Sequence, residues 1–417
     1  MSNRDSQTDY DIVIAGGGMV GASLACALGN HALRVAMIEA HNQNLNTPPS
    51  YDDRAIALSY GTAQIFRALN LWEPLAAKAA AIKQIHVSER GHIGVTRIDH
   101  REEQVDALGY VITARDLGQV LYGALSSFNN LHILQPAQLR GLDFDENAAQ
   151  ASVILNPDTT RATAQACRCK LLVAADGGGS SVRRLLNIDT QHYDYRQTAI
   201  TANVSISRPH NNMAFERFTA QGPLALLPMQ GDRCSLVWTR QTTVADSLLA
   251  LSDKEFLQQL QQEFGNRLGR FTRAGQRSAY PLQLLKATTQ VQKRVALIGN
   301  AAHTLHPIAG QGFNLGMRDV ATLAQIIIDH HAAGRDIGLL QTLQLYQQWR
   351  QQDQQRIIGF TDSLVKLFSN RFAPLALTRN LGLIATDIFP PLKHALAKHT
   401  MGMAGKLPRL ARGLPLH

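Results

Sequence analysis

The sequence predicts an α/β protein: a Rossmann-like cofactor-binding domain built on a parallel sheet, an inserted antiparallel-sheet domain, and C-terminal helices. Three runs carry that reading. Asp11 to Ala15 is a short apolar strand leading directly into Gly16, Gly18 and Gly21 in GxGxxG spacing; Leu171 to Ala175 is a second, closing in Asp176 and Gly177; Val295 to Ile298 is a third, followed by a loop holding Gly310, Gln311 and Gly312. Strand, glycine turn and helix in that order mark a dinucleotide-binding sheet, and the alternating stretches between the second and third runs read as a separate sheet.

At the first turn each glycine has its own task. Gly16 permits the tight turn, Gly18 lets the backbone approach a pyrophosphate, and Gly21 lets the following helix, expected to run through Leu28, pack closely on the strand. The next strand, Arg34 to Glu39, ends in an acid suited to accept hydrogen bonds from an adenosine ribose, which argues against a 2′-phosphate there. FAD and NAD fit this turn equally. Asn42 to Ser50 is polar and contains Pro48-Pro49, so a mobile loop is expected before Arg54.

The middle run continues as DGxxSxxR, through Ser180, Ser181 and Arg183. Asp176 at a strand's C-terminal end suits the cofactor crevice of an open sheet, although Asp-Gly is also an ordinary turn. Ala199 to Ile206, Met213 to Thr219, Pro223 to Met229 and Arg233 to Arg240 are the strands expected of an antiparallel lid. Leu224, Leu226, Leu227, Val237 and Trp238 suit either a long apolar ligand or the core of that sheet, and alternation favours core. In the third run a helix is expected to begin near Phe313 to Leu315, where unpaired amides favour a negative ligand such as a reduced flavin. The alternative is a strand-to-helix connection that merely packs. His303 and His306 share an HxxH spacing but lack an accompanying ligand set, so no metal is expected.

Composition narrows the classes. The chain has 417 residues, 45% of them hydrophobic, enough for two or three domains and a sizeable core. Cys26, Cys167, Cys169 and Cys234 form no CxxC pair, and no secretory signal precedes the first strand, so reduced thiols and a cytoplasmic setting are expected. The net charge of +9 is concentrated at the end: Arg350 to His417 carries ten Lys or Arg against three Asp or Glu. No nucleic-acid motif accompanies it, so nucleic acid is not an expected partner. Leu364 to Phe368 and Leu381 to Phe389, interleaved with Arg371, Arg379, Lys393 and Lys398, read as interfacial helices or as a helical cap with a solvated basic face.

Taken together, the GxGxxG turn, the Asp176-Gly177 run and the Gly299 to Gly312 run resemble the group A flavoprotein aromatic hydroxylases, relatives of para-hydroxybenzoate hydroxylase, over nearly the whole chain. Asp53-Arg54-Ala55-Ile56-Ala57-Leu58 and Asn300 to Asp319 resemble the ubiquinone-biosynthesis hydroxylases more closely. So do His86 to Gly91 (HVSERG), Ala214 to Thr219 (AFERFT), Gly222 to Met229 (GPLALLPM), Cys234 to Trp238 and Ser278 to Leu282 (SAYPL), which are similar to hydroxylases of 2-polyprenyl-6-methoxyphenol.

The resemblance implies a para-hydroxybenzoate hydroxylase-like fold, FAD as cofactor, and NADPH (or NADH) as a transient electron donor. One atom of O2 enters a lipophilic polyprenyl-phenol and the other leaves as water. It implies cofactor contacts at Gly16, Gly18, Gly21, Glu39, Arg115, Asp176, Asn300, Gly310, Gln311, Gly312 and Asn314, with Pro307 on the reactive side of the flavin ring and Arg54 reaching the flavin and influencing its movement. The broad family has Gly-Asp where this chain has Gly299-Asn300, which keeps an acceptor oxygen and loses a charge. No residue stands out as the base for the phenol; His86, His192 and Tyr193 are candidates. A prenyl-lipid reductase or a flavin-stabilised subunit of a quinone-synthesis complex would carry the same cofactor motifs. The expected division is 1–72, 108–186 and 280–334 for the cofactor fold, 73–107 and 187–279 for the substrate domain, and 335–417 for a basic helical region at the periphery of the inner membrane.

Overall fold

The computed structural model describes residues 9–41, 54–157, 162–304, 311–369 and 373–416, with backbone alone for 311, 360–362, 364–369 and 373–378. Strand β1 (Tyr10–Ala15), helix α1 (Met19–Leu28) and β2 (Val35–Ile38) open the chain. β3 (Ala55–Ser59), α2 (Tyr60–Ala68), α3 (Trp72–Ala76), β4 (Ala80–Ile82), β5 (Gln84–Glu89), β6 (Val95–Asp99), β7 (Gly109–Thr113) and α4 (Ala114–Leu125) follow. Then come β8 (Leu131–Leu134), β9 (Ala137–Phe144), β10 (Ala149–Leu155), β11 (Thr163–Ala174) and α5 (Ser181–Leu185). The next stretch holds β12 (Thr190–Ile206), β13 (Met213–Thr219), β14 (Gly222–Pro228), β15 (Arg233–Gln241), α6 (Thr242–Leu249), α7 (Asp253–Phe264), β16 (Phe271–Ala274) and β17 (Ser278–Ala287). β18 (Val291–Gln292), β19 (Val295–Leu297), β20 (His303–Thr304), α8 (Gln311–Ala332), α9 (Leu340–Ser369), α10 (Ala373–Ile388) and α11 (Pro390–Thr400) complete it.

One sheet runs β18-β19-β11-β1-β2-β8, with β10 and β9 attached to β11 by antiparallel pairing. β1 lies parallel to both β2 and β11, and β11 parallel to β19. Their apolar, fully buried sequences are what strands covered on both faces require. Leu24 and Leu28 of α1 and Val320, Leu323 and Ile327 of α8 pack with Ile12 and Ile14 on one face.

The second sheet runs β20-β17-β12-β15-β14-β13-β5-β6. It departs from the expected antiparallel lid at one junction, where β13 lies parallel to β5 and thereby adds the earlier β5–β6 hairpin to its edge. It also takes in all of β17 and the two residues of β20, although both were expected, from Tyr280 onward, in the cofactor fold. β4, expected in the substrate domain, pairs instead with β7 in a small sheet ordered β3-β7-β4. Such boundaries depend on partners distant in sequence, which local patterns do not encode.

Alternation divides the second sheet's faces. Leu224, Leu226 and Trp238 are buried against Phe256, Leu260 and Phe264 of α7, with the Trp238 and Phe256 rings 5.6 Å apart edge to face. Leu227 and Val237 point the other way, to a cavity. Three of the five apolar candidates thus lie in the α7-facing core, while Leu227, which also packs against Ile82 and Met229, and Val237 border the cavity.

The C-terminal helices close that cavity. α10 packs along β6: Thr96 Oγ1 donates to the Leu383 carbonyl at 2.9 Å, the Arg97 amide donates to Asp387 Oδ1 at 2.7 Å, and the buried Arg379 guanidinium pairs with Glu89. The chain beyond α11 is part of the first core, with Leu410 and Ala411 buried and the Gly61 amide donating to the Met401 carbonyl. Arg379 therefore does not belong to a solvated basic face, and Arg371 and Leu364 to Phe368 lie outside the described side chains. The Asn42 to Ser50 stretch also lies outside the described residues.

A buried ionic cluster joins α8 and α9 to the loop after β19. Asp319, fully buried, receives the His303 Nε2 proton at 2.7 Å and the Gly299 amide at 3.1 Å on one oxygen. Its other oxygen receives Arg350 Nε at 2.8 Å and Gln354 Nε2 at 3.1 Å. Arg350 and Arg318 both continue to Asp353. Burial by itself would raise the Asp319 carboxyl, but His303 and Arg350 overcome it and hold it down to about 2. A folded-state value below the unfolded one means stability present above about pH 4 and lost as pH falls toward about 2. Asp319→Asn is expected to destabilise the protein by about 3 kcal/mol at neutral pH, since it strands a buried guanidinium, and to flatten the acid limb of the melting-temperature profile. Thermal melts of both proteins across that range check this; equal acid limbs would refute it.

Candidate active site

The glycine turn after β1 is shaped by collisions that a side chain would create. Gly16 has φ +104°, and a Cβ there would stand 2.6 Å from the Ala175 carbonyl oxygen. A Cβ on Gly21 would fall 1.9 Å from the Gly16 carbonyl oxygen, so α1 is able to approach the turn only without one. Gly18 differs: nothing lies within 4 Å of its Cβ position, and it borders a cavity of about 1710 Å³. As N-cap of α1 it offers no side-chain cap, leaving the helix's first amides open to an anion.

Glu39, just past the end of β2, is buried and accepts the amides of Gly17 at 2.7 Å and His41 at 2.9 Å. Each of its oxygens keeps a further acceptor site, so ribose contact remains open to it. The Tyr122 hydroxyl donates to the Gly17 carbonyl at 2.7 Å, a brace that sequence reading missed because it comes from α4.

At the end of β11, Asp176 Oδ2 caps α5 by accepting the amides of Ser181 at 2.7 Å and Val182 at 3.1 Å. Its Oδ1 is buried with no partner among the described residues, an acceptor open to a donor that none of them supplies. Arg183 is buried and binds the carbonyls of Ala301 and Gly178, joining the Asp176 loop to the Asn300 loop. Asn300 is exposed on the cavity wall, in the short helical turn after β19.

α8 begins at Gln311, earlier than the expected Phe313 to Leu315, so Gly312 sits in its first turn, on the cavity wall with open space at its Cβ position. Asn314 borders the cavity, and its side chain has structural partners. Its Oδ1 accepts the Ser59 amide and the Thr62 hydroxyl, both at 2.8 Å, and its Nδ2 donates to the Ala57 carbonyl at 2.9 Å. The carboxamide fastens α8 to β3 and α2. Pro307, Gly310 and His306 lie outside the described residues.

Arg54 and Arg115 are both exposed and both line the cavity, Arg54 at the start of β3 and Arg115 in the first turn of α4. Arg54 Nη1 donates to the Tyr280 hydroxyl at 2.9 Å and its guanidinium lies 5.1 Å from that ring's centre. The three candidate bases are absent from the wall. His86 faces Arg267, and burial followed by that charge pushes it down to about 4. His192 pairs with Gln283 at 3.0 Å, and Tyr193 is half exposed to solvent. Strand position fixed these residues on other faces, which motif spacing did not reveal. Among the described residues no group of His, Cys, Asp and Glu is arranged to hold a metal ion.

From the glycine loops the cavity continues between the second sheet and α10–α11. Ile85, Val87, Leu227 and Val237 stand on one side and Leu383 and Leu396 on the other. The residues fit FAD: an uncapped helix start beside open glycine for pyrophosphate, an acid after β2 for ribose, an orphaned Asp176 oxygen, and a second glycine-faced helix start at Gly312. FAD, when bound, supplies redox and oxygen chemistry that no side chain provides.

Comparison with known proteins agrees with this geometry. Residues 9–361 match the FAD binding domain family. The ubiquinone hydroxylase UbiL of Rhodospirillum rubrum is 36% identical over 97% of this chain and 93% of its own length. The mitochondrial ubiquinone biosynthesis monooxygenase COQ6 of Danio rerio is 29% identical over 94% of this chain and 91% of its own. Among solved structures, p-nitrophenol 4-monooxygenase PnpA from Pseudomonas putida superposes with a TM-score of 0.78 at 17% identity, covering 95% of this chain and 98% of that one, a likeness of fold. Open glycine turns, an orphaned cofactor-side carboxylate oxygen and a family match spanning most of the sequence lead to one conclusion: the chain belongs to the FAD-binding monooxygenases, the family of the ubiquinone hydroxylases.

Proposed function

We propose that this protein hydroxylates a polyprenylated phenol in ubiquinone biosynthesis, converting 2-polyprenyl-6-methoxyphenol to 2-polyprenyl-6-methoxy-1,4-benzoquinol with O2 and with NADPH or NADH as donor. The observation that carries it is the continuity of the cavity. One end meets the glycine loops of the FAD site, and the other is an apolar chamber between sheet and C-terminal helices, a combination suited to a reactive ring with an isoprenoid tail.

In this reading the chain divides into a discontinuous cofactor fold, a substrate sheet and C-terminal helices. Gly16, Gly18, Gly21 and Glu39 hold the adenosine diphosphate half of FAD. Asp176 would offer its Oδ1 to the cofactor in the crevice, Asn300 would face the ribityl or phosphate region, and Gly312 and Asn314 would stand by the ring. Arg54, which donates to Tyr280 on the cavity wall, would reach the flavin and influence its movement. The apolar walls exclude water from the reacting centre.

Where the substrate enters is supported by exposure. Leu381, Ile388, Phe389 and Leu392 of the α10–α11 region are 56, 72, 60 and 47% exposed, while Leu383, Thr386 and Leu396 of the same helices line the cavity. Among the described residues no helix is long and apolar enough to cross a membrane. A helix pair with one apolar side outward and the other on the substrate chamber suits peripheral contact with a lipid surface. The segment after Met401, by contrast, is committed to the core.

Two outcomes are expected. Hydroxylation under 18O-labelled dioxygen places one labelled atom in the quinol, whereas a reductase acting on the same substrate leaves it unlabelled. The double variant Ile388→Glu, Phe389→Glu lowers the liposome-bound fraction about tenfold with little change in melting temperature; sedimentation with liposomes reads this, and unchanged binding counts against α10–α11 as the contact.

A further inference from the structure

Glu216 stands out on the cavity face of the second sheet. Along β13, Ala214, Glu216 and Phe218 line the cavity. In register with Glu216 are Val87 on β5 and Ala225 on β14, followed by Val237 on β15 and Thr201 on β12. None of these neighbours is titratable. Among the described residues Glu216 is the only carboxylate on the cavity wall, where the remaining charges are Arg54, Arg115, Arg233, Arg273 and Arg379. Arg379 is paired with Glu89, and Arg54 donates to Tyr280.

No hydrogen bond or ion pair from the described residues reaches Glu216. Its half-buried side chain borders the cavity, and enclosure by protein raises its carboxyl to about 7, with no cation near enough to hold it down. An enclosed carboxylate without a partner weakens a fold, and its residence on a ligand cavity is the pattern of a group that exchanges a proton with the ligand.

We propose that Glu216 is the proton acceptor for the phenolic hydroxyl of the substrate. The inference rests on the phenol reading above. The O–H bond breaks, its proton passes to a Glu216 oxygen, and the bonding pair stays on the phenolate, raising electron density at the ring carbon opposite. After one oxygen atom has joined that carbon, the carbon sheds its hydrogen as a proton to solvent. The first oxygen then recovers a proton from Glu216, so the carboxylate begins and ends ionised.

The test uses FAD-loaded protein, a water-soluble 2-methoxy-6-alkylphenol, and the variants Glu216→Gln and Glu216→Ala. Ultraviolet difference spectra report whether the bound phenol is ionised, independently of turnover. Wild type is expected to bind it as a phenol hydrogen-bonded to the carboxylate, red-shifted against the Glu216→Gln complex, because a carboxyl near 7 takes the proton of a phenol near 10 only as oxygen transfer proceeds. Hydroxylation by Glu216→Gln falls about a hundredfold near neutrality, and the deficit closes toward about pH 10, where a phenol ionises unaided. Formate restores part of the activity of Glu216→Ala. Because the folded-state carboxyl lies above its unfolded value, its cost appears as pH rises through about 7, so Glu216→Gln melts higher than wild type in alkaline buffer, a check on folding separate from catalysis. A phenol spectrum identical to wild type and an unchanged rate in Glu216→Gln would overturn the assignment. Failure of wild type itself to bind or hydroxylate the phenol overturns the substrate reading.

Discussion

The structure depends on one buried carboxylate. Asp319 is tolerable in the interior only because four donors converge on it, from His303, Gly299, Arg350 and Gln354. Those donors belong to the loop after β19 and to α9, and Asp319 itself belongs to α8. The cluster therefore sets the height of the Gly299–Asn300 turn relative to the helix whose first residues border the cavity. Arg183 carries the same alignment to the Asp176 loop through the Ala301 carbonyl. The Asp176 loop, the Gly299–Asn300 turn and the start of α8 are thus fixed to one another by ionic and charge-assisted contacts.

Much of the cofactor half was legible in the sequence, because its signals are local. The GxGxxG spacing reports collisions between neighbouring backbone segments, seen at Gly16 and Gly21, and the apolar runs report burial on both faces. Side-chain roles were less legible. Asn314 sits in the expected motif, yet its carboxamide serves β3 and α2, because the direction of a side chain depends on partners more than two hundred residues away. Asp319 was inside a quoted motif without being singled out, and its partner Arg350 looked like one more basic residue near the C-terminus. The histidines offered as bases failed for a similar reason: which face a strand residue takes follows from register. Glu216 had a readable signal in AFERFT, a charge set between Ala214 and Phe218 on a face otherwise apolar, but recognising it required knowing that this face meets a cavity.

The second sheet shows how one period-2 pattern builds two environments. Leu226 and Leu227 are adjacent, equally apolar, and end on opposite sides, one packed in the α7-facing core and the other on the chamber wall. A substrate chamber made this way inherits the rigidity of the sheet behind it, since each wall residue is flanked by a packed one. The opposite wall has a different character: α10 is tied to β6 by Thr96 and Arg97 and to the end of β5 by the Glu89–Arg379 pair, while part of its outer surface is apolar and open to solvent. Precision resides on the sheet side and access on the helix side.

The position of the Asp319 cluster in the chain also bears on how the protein is made. β1 and its glycine turn leave the ribosome first, but the turn at Gly299 acquires its carboxylate partner only after residue 319 has been added, and that carboxylate is neutralised only after Arg350 and Gln354 follow. A chain that ends between α8 and α9 has both glycine turns but lacks the Arg350 and Gln354 partners of Asp319. In chain order, then, the Gly299 turn gains its full set of buried ionic partners only when α9 is present.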